Sequence, residues 1–135
     1  MLATDAPAWQ RLLLPIRLGV GGPLGNGRQW YPWIGADDLS RAILFLLEHP
    51  QARGVYNLTA PEPVRQLDLA RRVAKRLRRP AIVPVPTPLL RLVLGAAADA
   101  LVLASARALP QRLEALGFPF EYPRLEPLME KLLER

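Results

Sequence analysis

The stretch GVGGPLGNGRQWYPWIGADDL, residues 19–39, limits what this chain can build more than any other. Five glycines fall within residues 19–27, so neither a regular helix nor a long strand runs through them. Residues 28–34, RQWYPWI, read as an extended segment, with Pro32 placing it at an edge or a bend. Asp37 is a good N-cap for a helix from Asp38 to about Glu48, closed by His49 and Pro50. Leu39, Ala42, Ile43, Leu44, Phe45, Leu46 and Leu47 make that helix apolar nearly all round, which calls for burial on more than one side.

Two phosphate-binding signatures can be tested on the glycines. The dinucleotide fingerprint needs G-x-G-x-x-G between a strand and a helix. Counted from Gly19 its sixth position is Leu24, and counted from Gly25 it is Trp30. The segment also runs on into an extended aromatic stretch rather than a helix. A P-loop has its glycine spacing at Gly22 and Gly27, but Arg28 and Gln29 stand where Lys and Ser or Thr are required. Neither motif is present, and the residues alone allow a simple glycine-permitted chain reversal.

The rest of the chain is cut into short elements, fifteen prolines helping to cut it. WQRLLL, residues 9–14, reads as the tail of a helix stopped by Pro15, and IRLGV, 16–20, as a short strand. VYNLT, 55–59, reads as a strand after Gly54. Residues 66–79 form an amphipathic helix with Ala70, Val73, Ala74 and Leu77 on one face; Pro80 ends it. AIVPV, 81–85, reads as a short strand broken by proline. Residues 88–104 approach membrane-span length, but Arg91, Asp99 and the break at 95–98 predict two short buried helices instead. Pro110 starts a helix to Leu116 with Gly117 as C-cap, and a last helix runs from about Arg124 to Leu133.

Composition narrows the function classes. Half of the residues are hydrophobic and 22% are charged, as in a globular chain. There is no cysteine, which excludes a thiolate metal site and a cysteine nucleophile, and the single histidine, His49, cannot build a histidine-rich metal site. No signal peptide opens the sequence, so the expectation is a cytoplasmic protein without a membrane anchor. The net charge of +6 comes from sixteen arginines and two lysines against twelve acids. It raises the prospect of an anionic partner, and with the prolines it fits a GC-rich, thermophilic source. Arg71, Arg72, Lys75, Arg76, Arg78 and Arg79 could track nucleic-acid phosphates. No helix-turn-helix spacing accompanies them, and a solvated helix face is the simpler reading.

The run LPIRLGVGGPLGNGRQWYPWIGADDLSRAILFLLEHPQARGVYNLTAPEPV resembles the C-terminal half of the sugar-epimerase-like extended short-chain dehydrogenases. It is most similar to the bacterial epimerase-family proteins that end in a small domain of uncharacterised function. That family has a glycine loop leading into a G-x-G-R-Q-W strand, a W-I-H-x-D-D helix start, a Y-N-L strand and A-P-x-P-V. RPAIVPVPTPLLRLVLG and RALPQRLEALGFPFEYPRLEPLMEKLL resemble its terminal domain. The sequence departs at Gly35, where the family usually has histidine. The resemblance implies an α/β fold: the C-terminal, substrate-side portion of such an enzyme, mostly helical with a few short strands and without the Rossmann cofactor core. Residues 1–59 would flank the substrate cleft and 60–135 would form the small helical domain.

The family's Tyr-x-x-x-Lys pair, in which the tyrosine is general acid or base, has no counterpart. The residues four after Tyr31, Tyr56 and Tyr122 are Gly35, Ala60 and Glu126. No catalytic, cofactor-binding or metal-binding residue is therefore expected here, and NAD or NADP is implied only for the complete enzyme. Arg28, Gln29, Trp30 and Trp33 are the candidate substrate-binding residues. Arg28 would clamp an anionic group, with a solvated arginine as the alternative. Trp30 and Trp33, taken to share a face, would stack on a sugar or base, with core packing as the alternative. Asp37 and Asp38 read as helix-start acids, or else as an acid pair or metal ligands. The expected ligand is a sugar or nucleotide sugar. The expected partner is a second copy or a missing cofactor-binding half. A standalone assembly module, a basic nucleic-acid-binding protein and a truncated frame without a function of its own are the rival readings.

Overall fold

The computed structural model of the chain describes residues 1–134. Helix α1, Pro7–Arg17, opens the fold and runs straight through Pro15. The expected stop there, and the expected strand at 16–20, are both overturned. Proline in a helix costs about 3 kcal/mol, but one turn from the end it orphans only the carbonyl of exposed Arg11. Continuing the helix seats Ile16 beside Trp9 and Leu13, all buried to 2% exposure or less, and each such side chain returns about 1.5–3 kcal/mol.

Strand character at 28–34 shrinks to β1, Trp30–Tyr31. Its antiparallel partner is β2, Val64–Arg65, with Trp30 opposite Arg65 and Tyr31 opposite Val64. The expected strand at 55–59 does not form. Only Ala60 reaches the neighbouring chain, donating to Trp33 O at 2.7 Å. Side chains tie the segment down instead: Asn57 Nδ2 donates to Leu109 O, and Arg112 donates to Val55 O and Arg53 O. The 81–85 segment likewise contributes only a bridge between Leu24 and Val85.

Helix α2, Ala36–Glu48, begins two residues earlier than expected, with Gly35 rather than Asp37 as N-cap. Asp37 and Asp38 sit in the first turn, where the helix dipole favours them. Helix α3, Gln66–Arg76, buries Leu69, Ala70, Val73 and Ala74 as its amphipathic pattern requires. Helix α4, Thr87–Leu94, and a π-helical turn, Ala98–Leu103, replace the two buried helices. Both lie where predicted, but Leu89 and Leu92 are exposed. Helices α5, Gln111–Ala115, and α6, Leu125–Leu133, complete the chain. Among the described residues no helix is long and apolar enough to cross a membrane.

The main core joins Trp9, Leu13 and Ile16 of α1 and Trp33 to Leu69 and Val73 of α3 and Leu125, Leu128 and Met129 of α6. It draws on residues from both sides of position 59, so one core serves the N-terminal and C-terminal parts of the chain. A smaller cluster joins Ala42 of α2 to Leu113 and Phe118.

Candidate functional site

The glycine loop is folded onto its own chain. A Cβ on Gly22 would lie 2.2 Å from Val83 O, and one on Gly27, whose φ is 67°, would lie 2.8 Å from Leu67 Cβ. Gln66, buried at the start of α3, holds the loop: its Oε1 accepts from Leu24 N–H at 2.9 Å. The positions left open by these absent side chains are therefore filled by protein. The loop does not fit a pyrophosphate cradle, which needs glycine faces open to the ligand and a helix starting behind them.

The loop does form one wall of a cavity of about 550 Å³. Asn26, Arg28 and Gln29 line one side; Thr87, Arg91, Asp99, Leu103 and Ser105 line the other. Contact between the walls is close, since a Cβ on Gly25 would come within 3.1 Å of Thr87 Oγ1 and 3.2 Å of Leu103 Cδ2. Asn26 Oδ1 accepts from Arg28 N–H at 2.8 Å and fixes the turn that carries Arg28. Gln29 is buried, its Nε2 donating to Leu24 O at 3.0 Å. Across the cavity Arg91 donates to Asp99 Oδ1 from Nε at 3.2 Å and from Nη2 at 3.0 Å. Ser105 Oγ accepts from Trp30 N–H at 3.0 Å and joins the two walls.

Of the four residues expected to bind substrate, Arg28 and Gln29 line this cavity. Trp30 is half-buried beside it, but its ring is already flanked by guanidinium groups, Arg65 at 4.6 Å and Arg107 at 5.2 Å from the centroid. Trp33 does not share a face with Trp30. Positions three apart in an extended chain point to opposite sides, and Trp33 lies in the main core at 2% exposure, its Nε1 donating to Glu62 O at 2.7 Å. Thr87, Arg91, Asp99 and Ser105 were missed. Arg91 and Asp99 lie in the apolar 88–104 segment, where the sequence marks them only as breaks in a membrane-length run, and Thr87 and Ser105 flank that segment without a signal of their own.

The remaining polar residues have structural work. Asp38 is fully buried; its Oδ1 accepts from Arg41 Nη1 at 2.8 Å and Glu121 N–H at 2.9 Å, and its Oδ2 from Tyr122 N–H at 2.8 Å. Asp37 pairs with Lys131, whose ammonium is held above its ordinary pKa by that hydrogen bond. Burial raises the Tyr31 phenol above its ordinary value, so it keeps its proton at neutral pH. Among the described residues no group of three or more potential metal ligands assembles. On the basic helix, Arg72 pairs with Glu62 and Glu126 and Arg76 with Glu134.

Residues 10–59 match the model of the NAD dependent epimerase/dehydratase family, and residues 85–132 match a domain of unknown function. An epimerase family protein of Staphylococcus epidermidis is 42% identical over 134 residues, covering 99% of this chain and 44% of its own length. One from Staphylococcus aureus is 39% identical, covering all of this chain and 45% of its own length. The crystal structure of the human epimerase family protein SDR39U1 (isoform 2) with NADPH superposes with a TM-score of 0.92 at 31% identity, again covering 99% of this chain and 45% of that one. The chain thus spans less than half the length of the relatives it matches. In sequence and fold it is similar to the C-terminal portion of epimerase family proteins, in which the end of the NAD dependent epimerase/dehydratase region is followed by the domain of unknown function.

Proposed function

We propose that this chain is the substrate-binding region of a nucleotide-sugar epimerase-like, NAD(P)-dependent enzyme and is not catalytic by itself. The observation that carries the reading is the cavity, which sets Arg28 and Gln29 of the epimerase region against Arg91, Asp99 and Ser105 of the terminal domain. Its volume of about 550 Å³ lies within the range of about 300–1,000 Å³ common for small-molecule sites. The cofactor and the acid–base pair belong, in this reading, to the part of the relatives' length that this chain does not span. Its partner is a second copy or a cofactor-binding half, received on the outer face of α2, where Ile43, Leu44 and Leu47 are exposed.

Saturation-transfer NMR with a panel of sugars, sugar phosphates and nucleotide sugars tests the proposal. At least one class should receive saturation, and Arg28→Gln should abolish the transfer while leaving the circular dichroism unchanged. Absence of transfer to every member of the panel refutes the reading.

A further inference from the structure

We propose that the cavity is an oxyanion-binding subsite, in which Arg28 and Arg91 grip a phosphate or carboxylate group and Asp99 is the counter-charge that the anion displaces. The inference gives the terminal domain a binding role. It rests on the reading above only for the rest of the ligand being a sugar or nucleotide sugar.

Two guanidinium groups, Arg28 on one wall and Arg91 on the other, and one carboxylate, Asp99 beside Arg91, line the cavity and leave its walls one net positive charge. Among the described residues Arg28 has no acidic partner, whereas Arg91, the other arginine of the cavity, has one. Arg91 and Asp99 meet through a single carboxylate oxygen and are each more than half exposed. An ion pair of that kind is weak enough for an arriving oxyanion to compete with it. The guanidinium fork suits phosphate and carboxylate alike.

Neutral donors surround the two arginines. Ser105 Oγ accepts from Trp30 N–H and keeps its own hydrogen to donate; Asn26 uses its carbonyl oxygen on Arg28 N–H and keeps its amide hydrogens. Thr87 adds a hydroxyl. Asp99 and Leu103 reach the wall from the π-helical turn 98–103, a rare conformation that is frequent at functional sites.

Calorimetric titration of the 135-residue chain at low salt with sodium pyrophosphate, sodium gluconate and neutral sorbitol tests this. Pyrophosphate, gluconate or both should bind and sorbitol should not; the anion that binds more tightly identifies the substrate group as phosphate or carboxylate. Arg28→Gln and Arg91→Gln should each weaken binding about ten-fold or more, the loss of one charge-assisted hydrogen bond. Asp99→Asn should tighten it, because it frees Arg91 and removes a repelling charge. Arg79→Gln, on the exposed end of the basic segment, should change nothing. Failure of both anions to bind, indifference to the Arg28 and Arg91 changes, or weaker binding in Asp99→Asn overturns the proposal. The two readings fail separately. If pyrophosphate binds through Arg91 but no sugar or nucleotide sugar binds, the subsite stands and the substrate reading falls. If nucleotide sugars bind equally well to Arg91→Gln, the subsite falls and the substrate reading stands.

Discussion

Asp38 shows how a buried carboxylate earns its place in so small a fold. It gathers two backbone N–H groups from residues 121 and 122 and one guanidinium, fastening the segment before α6 to the start of α2. Asp38→Ala would strand those donors, at a cost of about 2–5 kcal/mol, a large share of a typical total of about 5–15 kcal/mol; urea denaturation measures the loss, and a change below about 1 kcal/mol would contradict this role. The buried tryptophans offer a paired test. Trp33 Nε1 donates to Glu62 O, whereas Trp9 Nε1 has no partner among the described residues. Trp33→Phe should therefore cost about 1 kcal/mol more than Trp9→Phe in thermal or urea unfolding. At this scale the sequence was half legible. Arg28 and Gln29 stand out in a glycine-flanked extended segment and do line the cavity. The roles of Trp30 and Trp33 are decided by strand parity and by Arg65 and Arg107, which arrive from distant parts of the chain.

Helix α2 is legible as an element but not in its surroundings. Its apolar residues predict burial on several sides, yet only Asp38 and Ala42 are buried, and Leu44 and Leu47 remain 55% and 79% exposed. With such a face uncovered, the chain should self-associate at micromolar concentration. Leu44→Lys with Leu47→Lys should return it to a monomer in light scattering, with thermal stability changed by less than about 0.5 kcal/mol. A wild-type monomer would contradict the expectation. Other elements depend on partners that sequence reading does not weigh. Residues 55–59 have strand composition but no adjoining strand to complete a ladder. Strand β2 escapes notice because two residues between Pro63 and the start of α3 show no periodicity. Pro15 looks like a helix stop until the burial of Ile16 is counted.

Across the whole molecule, one core links α1, Trp33, α3 and α6, so the end of the epimerase region and the terminal domain hold each other in place. The order of segments made the family legible; the cavity between them was not, because it depends on how the glycine loop meets residues 87–105. That loop is packed against Val83 and Leu67, it runs on into β1 rather than into a helix, and the start of α3 beside it is already bonded to the loop through Gln66 and Leu67. The central claim is therefore that this chain supplies a substrate side and no cradle for the dinucleotide cofactor. Isothermal titration calorimetry of the chain with NADPH tests it most directly. The account predicts no binding tighter than about millimolar, or about −4 kcal/mol; a micromolar dissociation constant would contradict it.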